Sequence, residues 1–116
     1  SMSNVLIIEF IGDVDGNPAP TVKNLPPQDP EDFYEKLVNQ MYRFINKANL
    51  IHGDLSTYNI LNYNEEPVII DVSQSVVRDH IIANELLERE IKNISFEFSK
   101  MGVDTSIEDL TERLIK

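Results

Sequence analysis

The chain has 116 residues, a formal net charge of −10 and a hydrophobic content of 41%, enough for one small core and too little for two domains. Its ten Lys and Arg residues are scattered and form no basic run, which excludes a phosphate-binding nucleic-acid surface in this segment. The absence of cysteine excludes disulfides and thiolate metal sites and fits a reducing, cytoplasmic setting, and no apolar run is long enough to span a bilayer.

Ser1-Met2-Ser3 reads as a scar of tag removal, leaving residues 4–116 as one unit that begins inside a longer protein. Residues 4–11, "NVLIIEFI", are rich in apolar and β-branched types and predict a strand buried on both faces. "GDVDGNPAP" breaks it. Counted from Asp13, the sixth and twelfth positions of a calcium loop would hold Pro18 and Asn24, so a tight Asp15-Gly16 turn is the better reading.

"PPQDPEDFYEKLVNQMYRFINKAN" carries helix-start signals, with Asp29 placed to cap, Pro30 in the first turn, and Glu31, Asp32 and Glu35 complementing the helix dipole. Phe33, Leu37, Met41, Phe44, Ile45 and Ala48 recur at three- and four-residue steps and predict one core-facing stripe, with Asn49 ending the helix.

Next come "LI", the polar octet "HGDLSTYN" (residues 52–59), and the short apolar runs "ILNY" and "PVIIDV". The runs predict a β-hairpin turned by "NEE", with the octet as the loop entering it and Asp71 at its exit. A second amphipathic helix is expected from about Ile81 to Met101, marked by Leu87, Ile91, Ile94 and Phe98, with a break near Asn84 open. Thr105 to Glu108 has a capping-box pattern that starts a terminal helix running through Leu114.

The chemistry concentrates in the octet. Asp54 lies in a loop held by strands, where a carboxylate can reach a hydroxyl proton. Asn59 and Asp71 offer two hard oxygen ligands at neighbouring strand ends, a set suited to Mg²⁺, which fills its shell with phosphate and water. His52 is placed to fix the loop through a backbone hydrogen bond. Asp and Asn are also ordinary turn residues. The full pattern H-x-D-x-x-x-x-N, hairpin, apolar-apolar-Asp is much rarer and matches the phosphoryl-transfer signature.

On "FIG…PAPTVKNL", "LIHGDLSTYNIL", "IIDVSQSV" and Asp79-His80 with its following helix, the chain resembles the RIO family of atypical serine/threonine protein kinases, its type-1 subgroup most closely. The resemblance implies an α+β, protein-kinase-like carboxy-terminal lobe, mainly helical with a small β-hairpin and a hinge strand, lacking the amino-terminal lobe. It implies that Asp54 is the catalytic-loop aspartate and that Asn59 and Asp71 hold Mg²⁺. Backbone groups of Glu9 and Ile11 would meet the adenine of ATP, with Ile8 as gatekeeper and Leu61 and Ile70 as the apolar floor, although both also read as plain core residues. Protein, the kinase itself or water would accept the phosphoryl group, and a role in maturation of the small ribosomal subunit follows.

Some positions depart from ordinary protein kinases. Gly53 and Ser56 stand where those enzymes carry Arg and Lys, and no long activation segment follows Asp71, which is the RIO pattern. Glu90 stands where the family more often has Asp, in an expected support role for the loop. No glycine-rich loop or strand Lys precedes Asn4, so the fragment alone is expected to be inactive. Two alternatives stay open: a small-molecule kinase of the aminoglycoside or choline type, and a non-catalytic ATP-binding or interaction module.

Overall fold

The computed structural model describes residues 19–115, so the expected strand at 4–11, with Ile8, Glu9 and Ile11, and the Asp15-Gly16 turn lie outside the described residues. The elements run α1 (Pro30–Asn46), β1 (Leu50–Ile51), β2 (Ile60–Tyr63), β3 (Glu66–Ile69), a 3₁₀ turn (Val72–Gln74), β4 (Val76–Val77), α2 (Ala83–Lys100) and α3 (Ile107–Leu114). Among the described residues three helices enclose the core, and two antiparallel ribbons, β1–β4 and β2–β3, sit at its edge. Among the described residues no helix is long and apolar enough to cross a membrane.

Helix α1 starts where its sequence directs. The Asp29 carboxylate accepts from the Asp32 amide at 3.2 Å, Pro30 opens the first turn, and Glu31 and Asp32 face the positive end of the dipole. Phe33, Leu37, Met41, Phe44 and Ile45 are all buried, as their spacing predicts. Ala48 is not part of the stripe, because the helix ends at Asn46 and not at Asn49. The Lys47 and Ala48 amides both turn back to the Arg43 carbonyl, and Asn49 adopts a left-handed φ of 58° that swings the chain into β1.

Helix α2 buries Leu87, Ile91, Ile94 and Phe98 and is unbroken at Asn84. It begins two residues later than expected, since Ile81 and Ile82 lie in a turn closed by the His80 carbonyl. Phe98 meets Phe33 at 6.1 Å and Tyr34 at 5.4 Å between ring centroids, locking α2 against α1. Helix α3 is capped by Ser106, whose hydroxyl accepts from the Asp109 amide at 3.1 Å. The expected Thr105 cap is therefore displaced by one residue. Thr105 instead bonds the Tyr34 hydroxyl at 2.6 Å, and a bidentate Arg113–Glu35 pair ties α3 to α1.

The hairpin forms as expected with a tighter turn. Glu66 pairs with Tyr63, so the loop is Asn64-Glu65 alone, with φ values of 52° and 70°. Two consecutive positive φ angles give the two-residue turn whose twist matches antiparallel strands. Glu65 is not a residue that favours this conformation. Its side chain holds it there: the carboxylate accepts from the Gln28 and Asp29 amides at 3.0 and 3.1 Å, and its own amide donates to Asn62 Oδ1 at 2.8 Å. The hairpin turn is thereby fastened to the start of α1.

Candidate active site

Residues 52–59 form a loop braced from within. His52 is buried, with Nε2 at 2.8 Å from the Ile70 carbonyl oxygen and Nδ1 accepting from the Asp54 amide at 3.2 Å. These partners select the neutral tautomer with its proton on Nε2. The loop-fixing role expected for His52 is what the geometry shows.

Asn59 closes the other end. Its Nδ2 donates to the Asp54 carbonyl at 2.6 Å, and its Oδ1 accepts from the Ser56 amide at 2.7 Å, leaving one Oδ1 lone pair for another partner. The Asn59 amide donates to the Ser56 carbonyl at 3.1 Å, and its carbonyl accepts from the Ile70 amide at 2.9 Å. Ile70 is thus gripped on both sides of its backbone, by His52 and by Asn59. Asp71 follows directly, so the structure brings Asp71 to the end of the loop that carries Asp54 and Asn59.

Asp71 has φ 61° and ψ 46°, a left-handed conformation that Asp tolerates better than most residues. It stands at the start of the 3₁₀ turn without a side-chain capping bond, and it is exposed, as is Asp54. Leu61 and Ile70 are half-buried, Leu61 pairing with Val68 and bridging to Thr21. The donor set, one carboxylate and one carboxamide, is oxygen-only. Among the described residues no cluster of three or more His, Cys, Asp or Glu side chains is placed to hold a metal by itself. The pair therefore fits a hard cation that takes its other ligands from phosphate and water.

Helix α2 holds the loop from below. Glu90 is buried, and its carboxylate accepts from the Gly53 amide at 2.7 Å, the support role expected for it. Burial pushes the Glu90 carboxyl up to about 7, the Asp54 charge adding to the rise while the Gly53 and His52 amides oppose it. Gly53 itself has φ 91°, and a Cβ there would come within 3.5 Å of Leu86 Cδ1, so a side chain at this position meets both strain and contact.

Sequence reasoning missed a second contact from the same helix. Glu97 accepts from the Thr57 amide at 3.0 Å and from the Thr57 hydroxyl at 3.3 Å. The Thr57 carbonyl in turn accepts from the Lys23 amide at 3.1 Å, and the Lys23 ammonium lies 5.6 Å from the centroid of the exposed Tyr58 ring. The one available signal was that Glu97 follows Glu90 by two helical turns and so shares its face.

Comparisons with known proteins give the family. The RIO domain profile matches residues 1–111. A RIO-type serine/threonine-protein kinase Rio1 from Methanocaldococcus jannaschii is 41% identical over 107 residues, covering 92% of this chain and 37% of the relative. The serine/threonine-protein kinase RIO1 of Homo sapiens is 39% identical over 103 residues, covering 87% of this chain and 18% of the relative. Among solved structures, the Rio2 kinase–ADP/Mg²⁺–phosphoaspartate complex from Chaetomium thermophilum superposes with a TM-score of 0.63 at 27% identity, over 84% of this chain and 34% of that one. This chain spans well under half the length of these relatives, and it shares with the Rio2 structure a kinase-like α+β fold. The chain belongs to the RIO domain family.

Proposed function

We propose that this chain is the carboxy-terminal lobe of a RIO-type serine/threonine protein kinase or ATPase that moves the γ-phosphoryl group of ATP to protein, to itself or to water. One observation carries the reading: Ile70 is bonded through its amide to Asn59 and through its carbonyl to His52, which seats Asp71 beside the loop of Asp54. Three side chains suited to phosphoryl transfer thereby come from two segments joined by one backbone bond and one imidazole–carbonyl bond. The ADP/Mg²⁺ of the Chaetomium Rio2 complex supports ATP and Mg²⁺ as the ligands, and its phosphoaspartate adds a carboxylate to the classes of acceptor.

In this reading Asn59 Oδ1 and the Asp71 carboxylate would hold Mg²⁺, which when bound would neutralise charge on the phosphate oxygens. Asp54 orients the acceptor hydroxyl or water by accepting its hydrogen bond, and contributes by position more than by basicity. His52 and Glu90 keep the loop from sagging away from that geometry. Leu61 and Ile70 give the adenine an apolar floor, and the protein acts in the cytoplasm on maturation of the small ribosomal subunit. RIO-type relatives favour this over the small-molecule kinase alternative.

The test uses the protein expressed from its complete reading frame. Asp71→Asn, which keeps a residue tolerant of the left-handed conformation, is expected to abolish Mg²⁺-dependent ATP turnover while the unfolding midpoint holds. Asp54→Asn is expected to keep ATP affinity and lose turnover. Near-normal turnover with unchanged Mg²⁺ dependence in Asp71→Asn defeats the reading.

A further inference from the structure

Helix α2 meets the loop at two points. Glu90 holds the Gly53 amide and Glu97 holds the Thr57 amide and hydroxyl, so the two carboxylates grip residues on either side of Asp54. The grips differ in what they steady. Gly53 adjoins Asp54, whereas Thr57 lies inside the Ser56–Asn59 turn that the Asn59 amide closes onto the Ser56 carbonyl.

Thr57 has little freedom left once these bonds form. Its amide and hydroxyl point to Glu97 on α2, and its carbonyl accepts from Lys23 on the opposite side. Within the same turn Asn59 Oδ1 accepts from the Ser56 amide, so the orientation of the turn sets where the remaining Oδ1 lone pair points. A metal ligand needs that direction held within a narrow angle, and partners behind the ligand supply the hold.

We propose that Glu97 is a positioning residue for Asn59, acting through Thr57 to aim the carboxamide oxygen at the cation site. The proposal rests on the kinase reading for the identity of the cation, and on the hydrogen bonds alone for the grip. It makes the charge of Glu97 dispensable: a Gln at this position still accepts from the Thr57 amide and donates from its NH₂ to the Thr57 hydroxyl. An electrostatic role for Glu97 toward the cation would instead require the charge.

Two measurements test it. Amide hydrogen exchange on this chain reads the grip without nucleotide, metal or activity. In Glu97→Ala the Asn59 amide is expected to exchange about tenfold faster or more, the Gly53 amide to keep its rate, and Glu97→Gln to restore Asn59. Unchanged Asn59 exchange in Glu97→Ala overturns the proposal. In the protein expressed from its complete reading frame, Glu97→Ala is expected to raise the half-saturating Mg²⁺ concentration several-fold, with turnover at saturating Mg²⁺ changing less and Glu97→Gln close to the unsubstituted protein. A Gln variant that matches Ala in Mg²⁺ requirement overturns positioning in favour of charge. Absence of Mg²⁺-dependent turnover in the unsubstituted protein overturns the kinase reading, and the exchange result then decides the grip by itself.

Discussion

His52 Nε2 lies 2.8 Å from the carbonyl oxygen of Ile70, the residue before Asp71. One imidazole therefore joins the loop that carries Asp54 to the strand end that carries Asp71, across eighteen positions of sequence. Its other nitrogen steadies the Asp54 amide, and its ring lies 6.5 Å from that of Phe44 on α1.

Replacing this side chain affects both packing and hydrogen bonding. His52→Ala strands the Ile70 carbonyl and the Asp54 amide and leaves a void beside Phe44. The expected loss is about 2–4 kcal/mol of stability. Urea unfolding of this chain checks it, and a midpoint within error of the unsubstituted chain would show that the bridge contributes nothing.

Glu90 makes stability depend on pH in an unusual direction. Its folded carboxyl is raised to about 7, chiefly by burial, so between the ordinary carboxylate range and about pH 7 the folded state holds a proton that the unfolded state releases. Its contribution is complete at low pH and is lost as pH rises through the folded value. The loss amounts to something on the order of 3 kcal/mol. Glu90→Gln keeps an acceptor for the Gly53 amide and has no charge to bury. The stability gap between variant and unsubstituted chain is expected to widen in favour of Gln from about pH 5 to about pH 8. A gap independent of pH counts against it.

Glu65 behaves in the opposite sense. The Gln28 amide, then the Asp29 amide, hold its carboxylate below the usual range. Its stabilising effect is present above the ordinary carboxylate range and disappears as pH falls through the lower folded value. Glu65→Ala is expected to lower the unfolding midpoint at neutral pH and to converge with the unsubstituted chain in strong acid. Equal midpoints at neutral pH would show the tie to α1 to be idle.

The chain on its own is expected to bind Mg-ATP more weakly than the micromolar range and to release no phosphate. Its four glycines stand at positions 12, 16, 53 and 102, a spacing that does not match the glycine-rich phosphate loop of kinases. Isothermal titration with Mg-ATP on the 116-residue chain is the check, and micromolar binding with γ-phosphate release contradicts the prediction.

What could be read from the sequence was what repeats or what is rare. The stripes of α1 and α2 repeat at helical spacing, and their Leu, Ile and Phe residues are buried where that spacing puts them. Asp54, Asn59 and Asp71 stood out because their order and strand context are uncommon, and the structure brings their two segments together. Glu97 and Thr57 lie forty positions apart and repeat nothing, so no local rule pairs them. The β1–β4 ribbon has two residues on each side, too few for alternation to show. Thr105 and Ser106 both suit a cap, and the Tyr34 hydroxyl, a tertiary partner, decides between them.

That small ribbon also bears on the order in which the site assembles. Leu50 pairs with Val77 and Ile51 with Val76, so the octet, the hairpin and Asp71 all lie on one excursion whose two ends are zipped side by side. Closing such an excursion costs entropy that grows only slowly with its length, and the cost falls on the moment of closure. The hairpin is a local product and can form early. The meeting of Ile70 with His52 and Asn59 joins segments on either side of it, and the ribbon holds the ends in place for that meeting. Opening at Val76-Val77 would free the end of the excursion that carries Asp71, while the hairpin stays tied to α1 through Glu65 and the loop to α2 through Glu90 and Glu97.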